Sequence, residues 1–381
     1  MMADNIEHVI SYWVLFQKFR SPALAGFAVV SHWLPFLVFS VAIGALADRF
    51  DPRRLIQIGM GLFIIASLGW GILFITDSLQ MWHAMVLLVI HGLASVFWVT
   101  PTQLLLYDIV GPAELISGVR LIATARYVGV LVGPAVGGAI LLAVGPSYGI
   151  LLNTVFYLPT VLWLVNAPYG PRFRKGAAPP PRAVRGLADI VHTIREIRAH
   201  PVIISMTLLS GAASFLIGSG YYAQMPNFAY DLGHGDPGVA YSVLLAADAA
   251  GGMLAGVVLE GRNLLPAKPR TAIALAVLWS MALIGFAWTS NYAAALAFLL
   301  AAGFFELSFQ AMAQTLVQLN APAATRGRAI GLFNMASLGL RTFSGVSIGL
   351  MGSMLGIHWS LAMAALVMLM IASGMLMLRS S

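Results

Sequence analysis

The stretch "GALADRFDPRR", Gly44 to Arg54, packs five charged side chains into eleven residues between two long apolar runs. It stands out because the chain around it, 381 residues long, is 60% hydrophobic and only 9% charged. Soluble domains carry roughly 25% charged and about 45–50% apolar residues. Fourteen acids with twenty-one Lys and Arg cannot keep a chain this long dispersed in water, so lipid is its expected solvent. The net charge of +7 would suggest nucleic acid in a soluble protein. Here the basic residues fall between apolar runs and read as topology signals, so no nucleic-acid partner is expected. Cys is absent, which excludes disulfides, thiolate metal sites and a Cys nucleophile.

A helix needs about 20 apolar residues to cross a bilayer. Breaking the apolar runs at Gly, Pro and charge clusters gives twelve, near 3–17, 22–47, 55–76, 81–106, 115–142, 148–166, 201–229, 239–259, 271–289, 293–318, 328–354 and 358–378. The predicted fold is an all-α membrane protein of twelve transmembrane helices. The first run spans only about 22 Å against a core of about 30 Å, so the expectation is that the start of this helix is missing, with a short tilted helix as the alternative.

Lys and Arg then orient the chain. With odd runs leading outward, the inside loops hold Arg49, Arg53, Arg54, Arg120, Arg172, Arg174, Lys175, Arg182, Arg185, Arg195, Arg198, Arg262, Lys268, Arg270, Arg326, Arg328 and Arg379, and the outside loops only Lys18 and Arg20. This bias predicts a multi-pass protein with both termini cytoplasmic. The long connection after run six begins Pro-rich and continues as "LADIVHTIREIR", which sets Leu187, Ile190, Val191, Ile194 and Ile197 on one helical face opposite Arg195 and Arg198. We expect an amphipathic helix on the inner membrane surface. The predicted organisation is a six-helix bundle over 1–166, a cytoplasmic linker over 167–200 and a second bundle over 201–381.

The halves echo one another. Gly44 precedes Asp48 by four residues and Gly256 precedes Glu260 by four, while Arg120 precedes Gly137 by seventeen and Arg328 precedes Gly345 by seventeen. Offsets of 212 and 208 indicate a duplication.

On these residues the chain resembles the major facilitator superfamily over essentially its whole length. "GALADRFDPRR" is similar to that family's signature between helices two and three, with Gly44, Asp48, Arg49, Arg53 and Arg54 in its pattern. "GVLVGPAVGG", Gly129 to Gly138, is similar to the Gly-Pro pattern of the family's exporters, with Gly133, Pro134, Gly137 and Gly138. "SPALAGFAVVSHWLPFLVFS" and "RGRAIGLFNM" resemble the branch that holds enterobactin and macrolide exporters. The resemblance implies two pseudo-symmetric six-helix bundles and alternating access. It places Asp48 beside the inner end of helix eleven, as a latch between the halves. The glycine motif would pack the halves tightly. Departures are the lack of an Arg within helix four, Asp51-Pro52 where the signature continues with Gly, and the short first helix.

Ionisable groups at bilayer depth cost about 2.5–3.5 kcal/mol on insertion scales and should face a cavity or a partner. Runs three, six, nine and twelve hold none at mid-span; Asp4, Glu7, His8, His91, Arg126, Asp248, Glu306 and Arg341 lie in the others. Glu306 is the first candidate for proton coupling, because burial in an apolar wall favours a carboxyl group that can load and release a proton. Asp4 and Glu7 compete for that role. Depth suggests that Arg126 and Asp248 pair in one conformation and part in another. Arg341 needs a counter-charge, for which Glu7 or Asp4 is the guess. His91, Trp98, Tyr221, Tyr222, Phe305, Gln310 and Arg341 are candidates for the substrate cavity, with the aromatics offering broad apolar contact.

No G-x-x-x-x-G-K-[ST] appears, and neither does H-E-x-x-H or a Ser/His site, so no enzyme, metal site or cofactor is expected. Energy must then come from a gradient or from downhill solute flow, and the reading takes the proton gradient as the source. The reading is a monomeric secondary transporter of the bacterial cytoplasmic (inner) membrane, exporting hydrophobic or amphipathic small molecules against protons. Its partners are the lipid bilayer, the substrate and protons. The rivals are an importer of the same fold and a truncated, non-transporting membrane protein.

Overall fold

In hydrocarbon every backbone N–H and C=O must be satisfied within the chain, and an apolar run meets that demand by coiling. The computed structural model describes residues 2–19, 22–170, 188–218, 220–233, 237–260 and 265–378, and among them all the regular structure is helical. The helices are α1 (Met2–Phe19), α2 (Pro22–Arg49), α3 (Pro52–Ile75), α4 (Met81–Val110), α5 (Leu115–Asn166), α6 (Ala188–Ile197), α7 (Pro201–Leu216), α8 (Met225–Asp231), α9 (Pro237–Glu260), α10 (Pro269–Trp288), α11 (Tyr292–Asn320), α12 (Arg326–Asn334), α13 (Arg341–Leu355) and α14 (Ile357–Leu378).

These account for twelve spans once three of them are read as composites. α5 holds spans five and six, divided at Gly145, whose φ of 77° and ψ of 172° break the helix. A positive φ of this kind costs a Cβ-bearing residue but not glycine. Span seven is α7 and α8, and span eleven is α12 and α13 joined through the wider turn Met335–Gly339. Eight described stretches, from Phe27–Arg49 to Ile357–Leu378, are each long and apolar enough to cross a membrane unaided.

The turn of the opening motif is built by its own residues. Asp51 is the N-cap of α3, with its carboxylate accepting from the Arg53 backbone N–H at 3.0 Å, and Pro52 fills the first helical position, where no N–H is needed. The Arg53 guanidinium returns to the same carboxylate at 2.6 Å and donates to the Ala167 carbonyl at 2.6 Å.

The chain forms two compact units. The first takes Met1–Gly111, Val128–Thr193 and Pro322–Gly331; the second takes Pro112–Tyr127, Ile194–Ala321 and Leu332–Ser381. Each unit therefore contains the beginning of a span whose remainder belongs to the other, span eleven in the first and span five in the second. In the first unit α4 packs on α2 and α3. In the second α11 packs on α9 and α10, and α10 on α14.

The duplicated glycines explain the borrowed segments. In the first unit a Cβ on Gly44 would collide with the Gly327 carbonyl, and one on Gly327 with the Gly44 carbonyl. In the second a Cβ on Gly256 would collide with the Thr124 side chain. Small residues let helix backbones close on one another in lipid, where no hydrophobic force drives them together. Gly133 and Gly137 behave alike toward α1: a Cβ on Gly133 would lie 2.6 Å from that of Asn5, and one on Gly137 3.1 Å from Ile6 Cα. The motif was expected to pack the halves together; the close approach of these two residues lies inside the first unit instead. A Cβ on Gly138 would meet no other helix within 4 Å, and the Pro134 side chain lies outside the described residues.

Within the linker, the helix α6 covers Ala188–Ile197. Asp189, Thr193 and Ile197 are its buried residues, whereas Val191 and Ile194 are exposed. Asp189 ties it to Arg328 and Ile197 of the apolar stripe is buried as well, while Val191 and Ile194 of that stripe stay exposed. Leu187 and the basic residues Arg20, Arg172, Arg174, Lys175, Arg182, Arg185, Arg262 and Arg379 lie outside the described residues, as does the side chain of Glu260.

Candidate functional site

Three groups of charged side chains are built into the units. The first holds Asp48. α2 brings its carboxylate to the start of α12, where the backbone N–H groups of Gly327 and Arg328 donate to it at 2.6 and 3.1 Å. These N–H groups have no partner within their own helix, and the helix dipole favours an anion there. Arg328, itself fully buried, donates to Asp48 at 3.2 Å and to Asp189 of α6 at 3.2 Å. One guanidinium thus ties the signature turn, the linker helix and the start of span eleven. In the sequence Arg328 stands out as a topology charge and in the seventeen-residue echo with Arg120, but neither signal names Asp48 or Asp189 as its partners. Arg120 makes the corresponding bond in the second unit, donating to the Leu259 carbonyl at 2.8 Å. Arg49 lies 5.4 Å from the Phe50 ring, and Arg54 belongs to the first turn of α3.

The second group centres on His91 of α4. Its Nδ1 lies 2.8 Å from Glu7 and its Nε2 2.8 Å from Asp4, both on α1. A neutral imidazole has one N–H, so both nitrogens donate together only as the imidazolium. Glu7 is fully buried and also accepts from Ser67 and, at 3.5 Å, from Tyr157. Asp4 and Trp98 line a cavity of about 140 Å³ together with Met2, Met60, Phe63 and Tyr157. His91, a candidate for the substrate cavity, therefore meets two carboxylates.

The third group lies in the second unit. Tyr222 donates to Asp248 at 2.9 Å and stands 3.4 Å from Glu306. Tyr221, fully buried, donates to the other Asp248 oxygen at 3.3 Å. Arg341 lies 3.8 Å from Glu306 and donates to the Ser337 carbonyl at 3.3 Å. The guess that Glu7 or Asp4 neutralises Arg341 is corrected: both acids are occupied with His91, and the acid beside Arg341 is Glu306. Arg126 acts electrostatically on Glu306 as well. Asp248 takes its hydrogen bonds from the two tyrosines. Phe305 crosses Phe304 edge-on with ring centroids 5.6 Å apart, and Gln310 is half-buried on α11.

The folding of these carboxylates together has a local cause. Gly251 and Gly303 sit within one turn of Asp248 and Glu306, and Cβ atoms there would collide with the Leu300 and Asp248 carbonyls. The crossing of α9 and α11 is close because both helices lack a side chain where they touch.

A helical, multi-span membrane chain with charged groups buried in both of its units defines the class. The chain belongs to the Major Facilitator Superfamily, whose family profile matches residues 8–345. As a member of this transporter family the chain is not an enzyme. Among curated proteins it is 30% identical over 201 residues to the uncharacterized MFS-type transporter Rv1250 of Mycobacterium tuberculosis, covering 50% of this chain and 29% of that one. It is 23% identical over 220 residues to the uncharacterized MFS-type transporter YfiS of Bacillus subtilis, covering 55% and 49%. The match thus spans half or less of either relative. Among solved structures it is similar to the human organic anion transporter MFSD10 (TETRAN), with a TM-score of 0.71 and 12% identity over 97% of this chain and 96% of that one. It is also similar to the Escherichia coli fucose:proton symporter FucP, with a TM-score of 0.73 and 13% identity over 98% and 95%. At such identities the likeness is one of fold.

Proposed function

We propose that the chain is a secondary transporter of the bacterial cytoplasmic membrane that moves hydrophobic or amphipathic small molecules outward against an inflow of protons. The halves 1–166 and 201–381 would alternate access as a monomer, with both termini and the linker inside. The resemblance to drug and siderophore exporters and the aromatic content of the spans support the substrate class and the direction.

The observation that carries proton coupling is the convergence of Asp248 and Glu306 on Tyr222. A phenol has one hydrogen to give. With Tyr222 donating to Asp248, its contact with Glu306 becomes a hydrogen bond when Glu306 carries a proton and donates to the phenol oxygen. Loss of that proton leaves a carboxylate facing Arg341. Two protonation states therefore give two sets of partners, one through Tyr222 and one through Arg341, which is the differential contact a coupling ion requires.

The test uses proteoliposomes of one orientation with an imposed pH gradient and ethidium as the probe. Expected are ethidium movement against inflowing protons and its loss in Glu306→Gln. Proton-driven movement unchanged in Glu306→Gln removes the carboxylate from coupling. Solute and protons moving in the same direction would make the protein an importer.

A further inference from the structure

Three imidazoles meet in the first unit. His8 comes from α1, His32 from α2 and His91 from α4, and one ligand nitrogen of each lies within 4.8 Å of those of the other two. Ring centroids are 4.7 Å apart for His8 and His91, 5.2 Å for His8 and His32, and 5.7 Å for His32 and His91. The convergence is built by the backbone. A Cβ on Gly92, beside His91, would collide with the carbonyl of Ser31, beside His32, so α2 and α4 touch where their histidines stand. On α1, Asp4 precedes His8 by one helical turn, and residues four apart share a helix face.

We propose that His8, His32 and His91, with Asp4 as fourth donor, bind a divalent transition-metal cation of the zinc class. Nitrogen-rich donor sets select zinc, cobalt, nickel or copper over calcium and magnesium, which take oxygen. Zinc–nitrogen bonds of about 2.0–2.1 Å put tetrahedral donors about 3.3 Å apart, so the nitrogens need to close by about 1.5 Å at most.

The surroundings match a metal centre. Glu7 lies 2.8 Å from Nδ1 of His91, which leaves Nε2 as the ligand nitrogen. A carboxylate behind a ligating imidazole sets its tautomer and raises its basicity. Ser67 and Tyr157 hold Glu7 in turn. On binding, Asp4 exchanges its contact with His91 Nε2 for a bond to the cation. Charge favours the exchange: an imidazolium offsets one of the two carboxylates, whereas a divalent cation with neutral imidazoles offsets both. In a medium where uncompensated charge is costly, that difference is a driving force. Of the four donors, Asp4 lines the neighbouring cavity. Linear spacing does not reveal the cluster, because each histidine comes from a different helix.

The experiment titrates cobalt into the purified, chelator-treated full chain carrying no histidine tag, in detergent. Expected is one cobalt per chain with the intense visible bands of a four-coordinate ion, displaced by zinc. His8→Gln and His32→Gln each weaken binding tenfold or more. Glu7→Gln, behind the ligand, weakens it about 10–100-fold with unchanged stoichiometry. His83→Gln and His358→Gln leave it unchanged. Failure of the chain to take up one equivalent, or equal affinity in His8→Gln, His32→Gln and His83→Gln, overturns the site. X-ray absorption of the zinc-loaded natural chain decides the matter even where a variant does not fold: three imidazole shells support the proposal, and one or none overturns it.

Discussion

Arg341 Nη2 stands 3.8 Å from Glu306 Oε1, both side chains largely buried, in the second unit. Removing one partner of a buried pair strands the other, at a cost of about 3–5 kcal/mol for well-made pairs and less at this separation. Arg341→Gln is expected to lower the thermal unfolding temperature in detergent. The double variant Arg341→Gln/Glu306→Gln should recover part of the loss, since it leaves no lone charge. Additive losses would show that the two residues do not interact.

Asp48 accepts from two backbone N–H groups and one guanidinium. Asp48→Ala leaves three buried donors unmet and is expected to cost about 1–3 kcal/mol per stranded group at most. Asp48→Asn keeps one acceptor oxygen but no charge, so it should fold and yet slow the transport cycle. Normal transport kinetics in Asp48→Asn would reduce the motif to a topology marker.

Asp51 gives a pH prediction outside the membrane. Burial pushes its carboxyl upward, but the hydrogen bonds from Arg53 outweigh that and hold it below the usual carboxylate range. A folded-state value below the unfolded one, about 3.9, means that the stabilisation is present above that value and is lost as pH falls through the lowered one. Asp51→Ala is expected to cost about 0.5–2 kcal/mol as a lost N-cap at neutral pH. The deficit should shrink as unfolding is followed from about pH 5 to about pH 2. Asp51→Asn, which still caps, should lose less at pH 7. A deficit constant with pH would contradict the charge-assisted cap.

The number of spans and the mid-span charges Glu7, His91, Asp248 and Glu306 could be read from the sequence, because insertion into lipid depends on runs of apolar residues and on Lys and Arg between them; the buried Arg328, at the end of such a run, and Asp189, in the linker, could not. Partnerships could not. Arg341 shows why: depth along a helix is countable, but which side chain it meets depends on the rotation of α11 and α13 about their axes, and apolar residues surround these helices too evenly to give a face. Asp189 was hidden for a related reason. Its helix has a clear apolar stripe, and the residue that holds it to Arg328 lies off that stripe. Glycines were more informative than their number suggested, since Gly44 and Gly256 mark the crossings that each unit makes with its borrowed segment.

Gly303 links helix packing to the carboxylate pair. A Cβ there would collide with the Asp248 carbonyl, and one on Gly251 with that of Leu300, so the crossing of α9 and α11 admits no side chain at either point. Forcing one in costs typically about 1–3 kcal/mol by overpacking. It also separates Asp248 from Glu306, which meet on Tyr222 at 2.9 and 3.4 Å. Gly303→Val is therefore expected to lower thermal stability and to abolish proton-driven movement of the probe, whereas Gly61→Val, with nothing within 4 Å of its Cβ position, should do neither. Tyr222→Phe separates the two effects. It keeps the ring and the crossing but removes the shared hydroxyl, so stability should change little while coupling falls. If Gly303→Val loses stability yet retains coupling, the carboxylates do not depend on that crossing for their shared partner.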